Sequence, residues 1–135
     1  MDYFDFYLMH AQSATFYQHF KKCRAYETAF ALKAEGKIKH VGISFHDHAE
    51  VLEQILTDYP EIEVVQIQFN YVDYDDPAVQ SRECYEVCRR HGKPVLVMEP
   101  VKGGNLVNLP EEARKVLDEL LSLIHISEPT RLALI

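Results

Sequence analysis

Four short apolar runs, each followed by a segment of helical periodicity, succeed one another along the chain, and that alternation leaves few folds open. Residues 2 to 10, Asp-Tyr-Phe-Asp-Phe-Tyr-Leu-Met-His, read as a strand buried on both faces. Ala25 to Glu35 carries Tyr26, Phe30 and Leu32 among good helix formers, and Gly36 stands where a left-handed stop is expected. A second strand is expected over Lys39 to Ser44. Asp47 with Glu50 three residues on has the form of a capping box, opening a helix in which Val51, Leu52, Ile55 and Leu56 repeat until Pro60. Glu63 to Asn70 is the third strand. Asp76-Pro77 predicts a cap and a first-turn proline before a helix through Arg90, closed by Gly92. The fourth strand, Pro94 to Glu99, has the Val-Leu-Val-Met run of a buried parallel strand, and Pro110-Glu111-Glu112 opens a last helix striped by Val116, Leu117 and Leu120.

Strict alternation implies a parallel sheet with right-handed crossovers, an α/β fold. A doubly wound sheet would show a glycine-rich turn after its first strand, where this chain has His10-Ala11-Gln12-Ser13. A barrel instead places its chemistry at the C-terminal ends of strands, and here those ends read His10, then Ser44 with His46 and His48, then Asn70, then Glu99. The expected fold is therefore a partial (β/α)8 TIM barrel of about four βα units, since a whole one needs about 250 residues.

Composition narrows the partners. With 14 Lys+Arg against 21 Asp+Glu, the net charge is 14 − 21 = −7 in 135 residues. Nucleic acid and anionic membrane surfaces call for a basic stripe, so both are set aside. No run approaches the roughly 20 apolar residues of a membrane span, and residues 1 to 20 carry acids where a signal peptide would be basic and then apolar. Three cysteines fit reduced thiols in a cytoplasmic protein.

Residues 121 to 135 break the style of what precedes them and resemble the translation of a sequencing-library adaptor. The expected organisation is a partial barrel over 1 to 120, its gene cut off on the 3′ side, followed by a non-native tail. Met1 opens directly onto a strand, so it too is not expected to be a natural start.

Several residues have chemistry to offer. His10 either donates a hydrogen bond or a proton in the barrel mouth or is a satisfied strand-end histidine. The third strand alternates Val65, Ile67 and Phe69 with Gln66, Gln68 and Asn70; buried amides without partners cost about 1 to 3 kcal/mol each, so this stripe faces a polar ligand or joins an internal network. An amide offers donor and acceptor together, as a carboxamide such as nicotinamide's requires. Glu99-Pro100-Val101-Lys102-Gly103-Gly104 is either an ordinary turn or a loop whose backbone N–H groups and one cation cover a pyrophosphate. His46-Asp47-His48 has the alternation of a zinc-ligand pair, with helix capping as the competing role of Asp47. Cys84 and Cys88, four apart on a helix, read as small buried hydrophobes, and Asp73, Asp75 and Asp76 as a solvated loop and cap.

Taken in order, these segments resemble the aldo-keto reductase family. Asp2 to His10 resembles the strand that ends in that family's catalytic histidine, and Gly36-Lys37-Ile38-Lys39-His40-Val41-Gly42-Ile43-Ser44 its next strand. Val65-Gln66 is similar to the family's Asn-Gln pair, and Val95 to Leu106 to the following strand and loop. The resemblance implies a (β/α)8 barrel that reduces carbonyls or oxidises alcohols, small-molecule substrates both, with NADP(H). It implies that His10 orients the carbonyl oxygen, that Ser44 and Gln66 hold the nicotinamide carboxamide, and that the loop of Lys102, Gly103 and Gly104 lies against the pyrophosphate.

Three departures qualify what is carried over. Phe45 stands where the family commonly has Asn, removing one carboxamide contact, and Met98 stands at the commonly aromatic position that stacks on the nicotinamide, giving a softer thioether contact. The Tyr, Lys and Asp of the family's catalytic set lie upstream of the matched region, and the groups for the adenosine 2′-phosphate lie downstream. Gly42-Ile43-Ser44-Phe45-His46-Asp47 also looks like the branch whose members often carry a C-terminal iron-sulfur domain. Two other readings compete: a metal-dependent hydrolase barrel using His10, His46, His48 and Glu99, and a truncated half-barrel without catalysis that self-associates through open sheet edges.

Overall fold

The computed structural model describes residues 2–120. The chain divides into two compact units, Met1–Pro100 and Val101–Ile135. In the first, strands β1 (Phe4–Gln12), β2 (Ile38–Phe45), β3 (Val64–Gln68) and β4 (Val95–Met98) form a four-stranded sheet in sequential order, every pair parallel. Parallel neighbours need a crossover at each step. Helices α1 (Ala14–Lys22) and α2 (Ala25–Ala34) supply the first, α3 (Ala49–Asp58) the second and α4 (Ser81–Arg90) the third. This is the partial TIM-barrel-like α/β fold that the alternation predicts.

Register decides which residues share a face. Met9 is level with Ile43, Ile43 with Val65 and Val65 with Val95, so these four look the same way. That face is the core, where Val41, Phe45 and Ile67 meet Tyr26, Leu52, Ile55 and Cys88 from the helices. Fully burying a side chain such as Ile55 contributes about 2 kcal/mol, which makes this face the main support of the unit. The opposite face, which lines the interior of a barrel, carries Leu8, Gly42, Ser44 and Gln66. A Cβ on Gly42 would stand 2.4 Å from Val64 Cγ1 and 2.6 Å from Leu8 Cδ2. Glycine there is what lets the side chains of β1 and β3 close over β2.

The helix layer holds an aromatic cluster. Tyr26 stacks on Tyr59 with ring centroids 4.0 Å apart, and Tyr17 meets both edge-on. Tyr17 Oη donates to Asp58, which also pairs with Lys21 at 3.3 Å. Burial pushes both the Tyr17 and Tyr26 phenols above their ordinary range, Tyr17 further through its carboxylate neighbour.

Several local expectations need correction. The strands β1 and β4 are not buried on both faces: Phe6 is 55% and Val97 48% exposed, because each lies at a sheet edge with no strand beyond it among the described residues. A helix not anticipated, α1, begins directly after Ser13, whose Oγ accepts from Phe16 N at 3.4 Å. Asp47 does not cap α3. Its Oδ2 accepts from Ala14 N at 2.8 Å and its Oδ1 from His48 N at 2.8 Å, while the first N–H of α3, on Ala49, goes to Gln80 Oε1 at 3.0 Å. Asp76 closes a turn through Ala78 N, and the left-handed Gln80 (φ 53) separates that turn from α4. Gly36 and Gly92 do adopt the left-handed stops expected of them.

The second unit holds a 3₁₀ turn over Lys102–Gly104 and helix α5 (Glu111–Leu120). Of the stripe expected on α5, Val116 is exposed; the side chains of Leu117 and Leu120, and the whole tail 121 to 135, lie outside the described residues.

Candidate active site

The end of β1 departs from simple pleating. Met9 is level with Ile43 and Gln12 with Phe45, three steps on one strand against two on the other, so β1 carries a bulge of one extra residue. Ala11 in that bulge is left-handed, at φ 53. Without the extra residue Gln12 would share the face of His10. With it, Gln12 turns into the core, fully buried, where Tyr26 Oη donates to its Oε1 at 2.6 Å and its own Nε2 reaches His10 O at 3.4 Å. His10 keeps the other face and stays exposed.

Ser44 sits beside this bulge on β2 and is 3% exposed. Its Oγ accepts from Ala11 N at 2.9 Å and lies 3.3 Å from His10 Nδ1. Ser44 is in register with Gln66, the middle residue of β3, so His10 and Ser44 near the C-terminal ends of β1 and β2 line up with it across three adjacent strands.

The three amides expected on the third strand divide, and Asn70 lies two residues beyond the end of β3. Gln68 Nε2 and Asn70 Nδ2 donate to Asp73 Oδ2 at 2.6 and 2.7 Å, and Asn70 Oδ1 accepts from Asp73 N and Val72 N. Asp73 is therefore not part of a solvated loop. It is fully buried, and the two amides take up its charge. Gln66, half-buried, makes no side-chain hydrogen bond among the described residues.

A family model described as the Aldo/keto reductase family matches residues 1–121. The chain belongs to the aldo/keto reductase family. A comparison with curated proteins gives no match. The family match supports an oxidoreductase, and aldo/keto reductases act on small-molecule carbonyl substrates.

In this aldo/keto reductase, Met98 ends β4 in register with Gln68, hence on the same face as Gln66 and half-buried. Phe45, in the place of the family's common Asn, packs into the core on the far face from Ser44. Glu99 is exposed and left-handed, and its backbone oxygen accepts from Asn70 Nδ2 at 3.1 Å. In the second unit Lys102, Gly103 and Gly104 are all left-handed, and the N–H of Gly104 is committed to Val101 O at 2.9 Å. A cavity of about 140 Å³ lies apart from His10 and Ser44, between β2, β3 and α4, lined by Phe45, Ile67, Val79, Ser81 and Cys84 among others.

The rival metal reading finds no geometry. The rings of His10 and His46 are 6.5 Å apart edge-to-face, Asp47 is occupied by backbone N–H groups, and no three His, Cys, Asp or Glu side chains among the described residues are grouped to hold an ion. Cys84 and Cys88 are buried in the core, and desolvation pushes both thiols up to about 12, as expected of small buried hydrophobes.

Sequence reasoning missed Gln12, Tyr26 and Asp73 as supports of this site. Nothing local marks the Gln12–Tyr26 contact, whereas Ser13 ahead of Phe16, Tyr17 and Phe20 was a readable sign of the helix that follows the bulge.

Proposed function

We propose that this chain is the part of an NADP(H)-dependent carbonyl reductase that orients the substrate oxygen and grips the nicotinamide. The observation that carries the reading is Gln66: unlike Gln68 and Asn70, it has no side-chain hydrogen-bond partner among the described residues, and it stands level with Ser44 beside His10. A half-buried amide in that state suits a ligand that offers donor and acceptor together, as a carboxamide does. Ser44 and Gln66 would hold that carboxamide, and Met98 would give the ring an apolar, polarisable contact. The coenzyme, when bound, supplies hydride to the carbonyl carbon. His10 would hydrogen-bond the carbonyl oxygen, a contact that strengthens as negative charge develops there and so favours the transition state over the ground state. By its own chemistry the Lys102, Gly103 and Gly104 turn is assigned to phosphate.

A proton donor for the product alkoxide has no counterpart at a matching position in this sequence. We therefore expect the 135-residue chain to be inactive by itself, its parent to be a cytoplasmic reductase, and the exposed edges at Phe6 and Val97 to promote self-association. No helix among the described residues is long and apolar enough to cross a membrane. The test is NADPH titration of the chain, followed by carbonyl-reduction assays after flanking genomic sequence is restored. Quenching of NADPH fluorescence that is weakened in Gln66→Leu supports the reading. No binding by the restored protein overturns it.

A further inference from the structure

We infer that Ser44 is a positioning residue that fixes the tautomer of His10, with the proton on Nε2. Ser44 Oγ is buried and already accepts the Ala11 N–H at 2.9 Å. Its own O–H needs an acceptor, because a buried hydroxyl without one costs about 1 to 3 kcal/mol. His10 Nδ1, at 3.3 Å, is the acceptor within reach of it among the described residues. If Nδ1 carried the proton instead, Ala11 N–H and Nδ1–H would fill both lone pairs of the oxygen and the hydroxyl hydrogen would have no acceptor among the described residues. The neutral ring therefore accepts at Nδ1 and keeps Nε2 as its donor.

The same hydroxyl also anchors the bulge. Ala11 is held left-handed between its N–H bond to Ser44 and the burial of Gln12 against Tyr26. One serine thus sets both the place of the imidazole on the strand and which of its nitrogens can donate. The value of this to catalysis rests on the proposed role of His10 at a carbonyl oxygen, but the tautomer itself does not.

Imidazole nitrogen chemical shifts of the 135-residue chain, recorded at a pH where the ring is neutral, test the inference. In the unsubstituted chain the His10 Nε2 shift is expected at the protonated limit and Nδ1 at the unprotonated limit. In Ser44→Ala the two shifts should draw together as both tautomers become populated, and Ser44→Thr, which restores the hydroxyl, should separate them again. A protonated Nδ1 in the unsubstituted chain overturns the inference, whether or not Ser44→Ala folds. So do His10 shifts in a folded Ser44→Ala that match those of the parent. Failure of NADPH to bind while Nε2 remains protonated would count against the proposed function and leave the role of Ser44 standing.

Discussion

His10 Nδ1 and Ser44 Oγ meet at 3.3 Å across two strands, although 34 positions separate them in the chain. The register that sets Met9 level with Ile43 brings His10 beside Ser44, and the extra residue that β1 takes after it turns Gln12 to the other face. The Ala11 N–H bond to Ser44 and the Gln12 contact with the Tyr26 phenol follow from that extra residue.

The left-handed Ala11 stores strain that glycine would not. An L-residue with a Cβ costs roughly 1 to 2 kcal/mol in this conformation, so Ala11→Gly is expected to stabilise the chain by about 1 kcal/mol once glycine's extra unfolded-state entropy is set against the relief. Ala11→Val should destabilise it by more than that, since branching at Cβ makes the conformation worse. Urea midpoints decide the order; a glycine variant less stable than the valine one would contradict the bulge.

Gly42→Ala tests the closure over β2. Its Cβ would stand 2.6 Å from the Val64 carbonyl oxygen, a backbone atom that cannot swing away. The expected cost is about 2 to 3 kcal/mol, at the upper end of overpacking. A thermal midpoint equal to that of the parent would mean that β2 and β3 are not this close.

Gln66 and Gln68 are the same residue type two positions apart on one face, and they should behave oppositely. Gln68→Leu removes a donor from the buried Asp73 carboxylate and should cost about 1 to 3 kcal/mol of stability. Gln66→Leu breaks no side-chain hydrogen bond among the described residues and should change stability by no more than about 0.5 kcal/mol, while NADPH affinity falls about tenfold, the worth of one hydrogen bond of about 1.4 kcal/mol. Denaturant titration and NADPH titration on both variants separate the two roles; equal stability losses would refute the division of the stripe.

Glu63 gives the fold its acid sensitivity. Burial raises its pKa, but the Lys33 ammonium, the Val41 N–H at 3.0 Å and His40 at 3.1 Å outweigh burial and hold it at about 2, below the ordinary 4.5. A folded pKa below the unfolded one contributes stability above the unfolded value and loses it as pH falls toward the folded one. The loss should therefore run from about pH 4.5 down to about 2. Glu63→Gln should flatten that part of the stability curve and, because the group is partly exposed, cost on the order of 1 kcal/mol at neutral pH. An unchanged slope would show that other carboxylates govern the acid limb.

The order of the strands and of helices α2 to α5, the glycine stops and most apolar residues of the core were written in local periodicity, which is why alternation alone led to a partial barrel even with α1 unread. The two cysteines of α4 were legible as core residues for the same reason. What tertiary structure alone decided was pairing at a distance. Whether Asp47 caps α3 or ties down α1, whether Asp73 is solvated or buried, and which of three amides stays unpartnered among the described residues depend on groups 3 to 33 positions away. The bulge is the clearest case: a single extra residue reverses the face of Gln12, no run of residues signals it, and only the level of β1 against β2 brings His10 to Ser44.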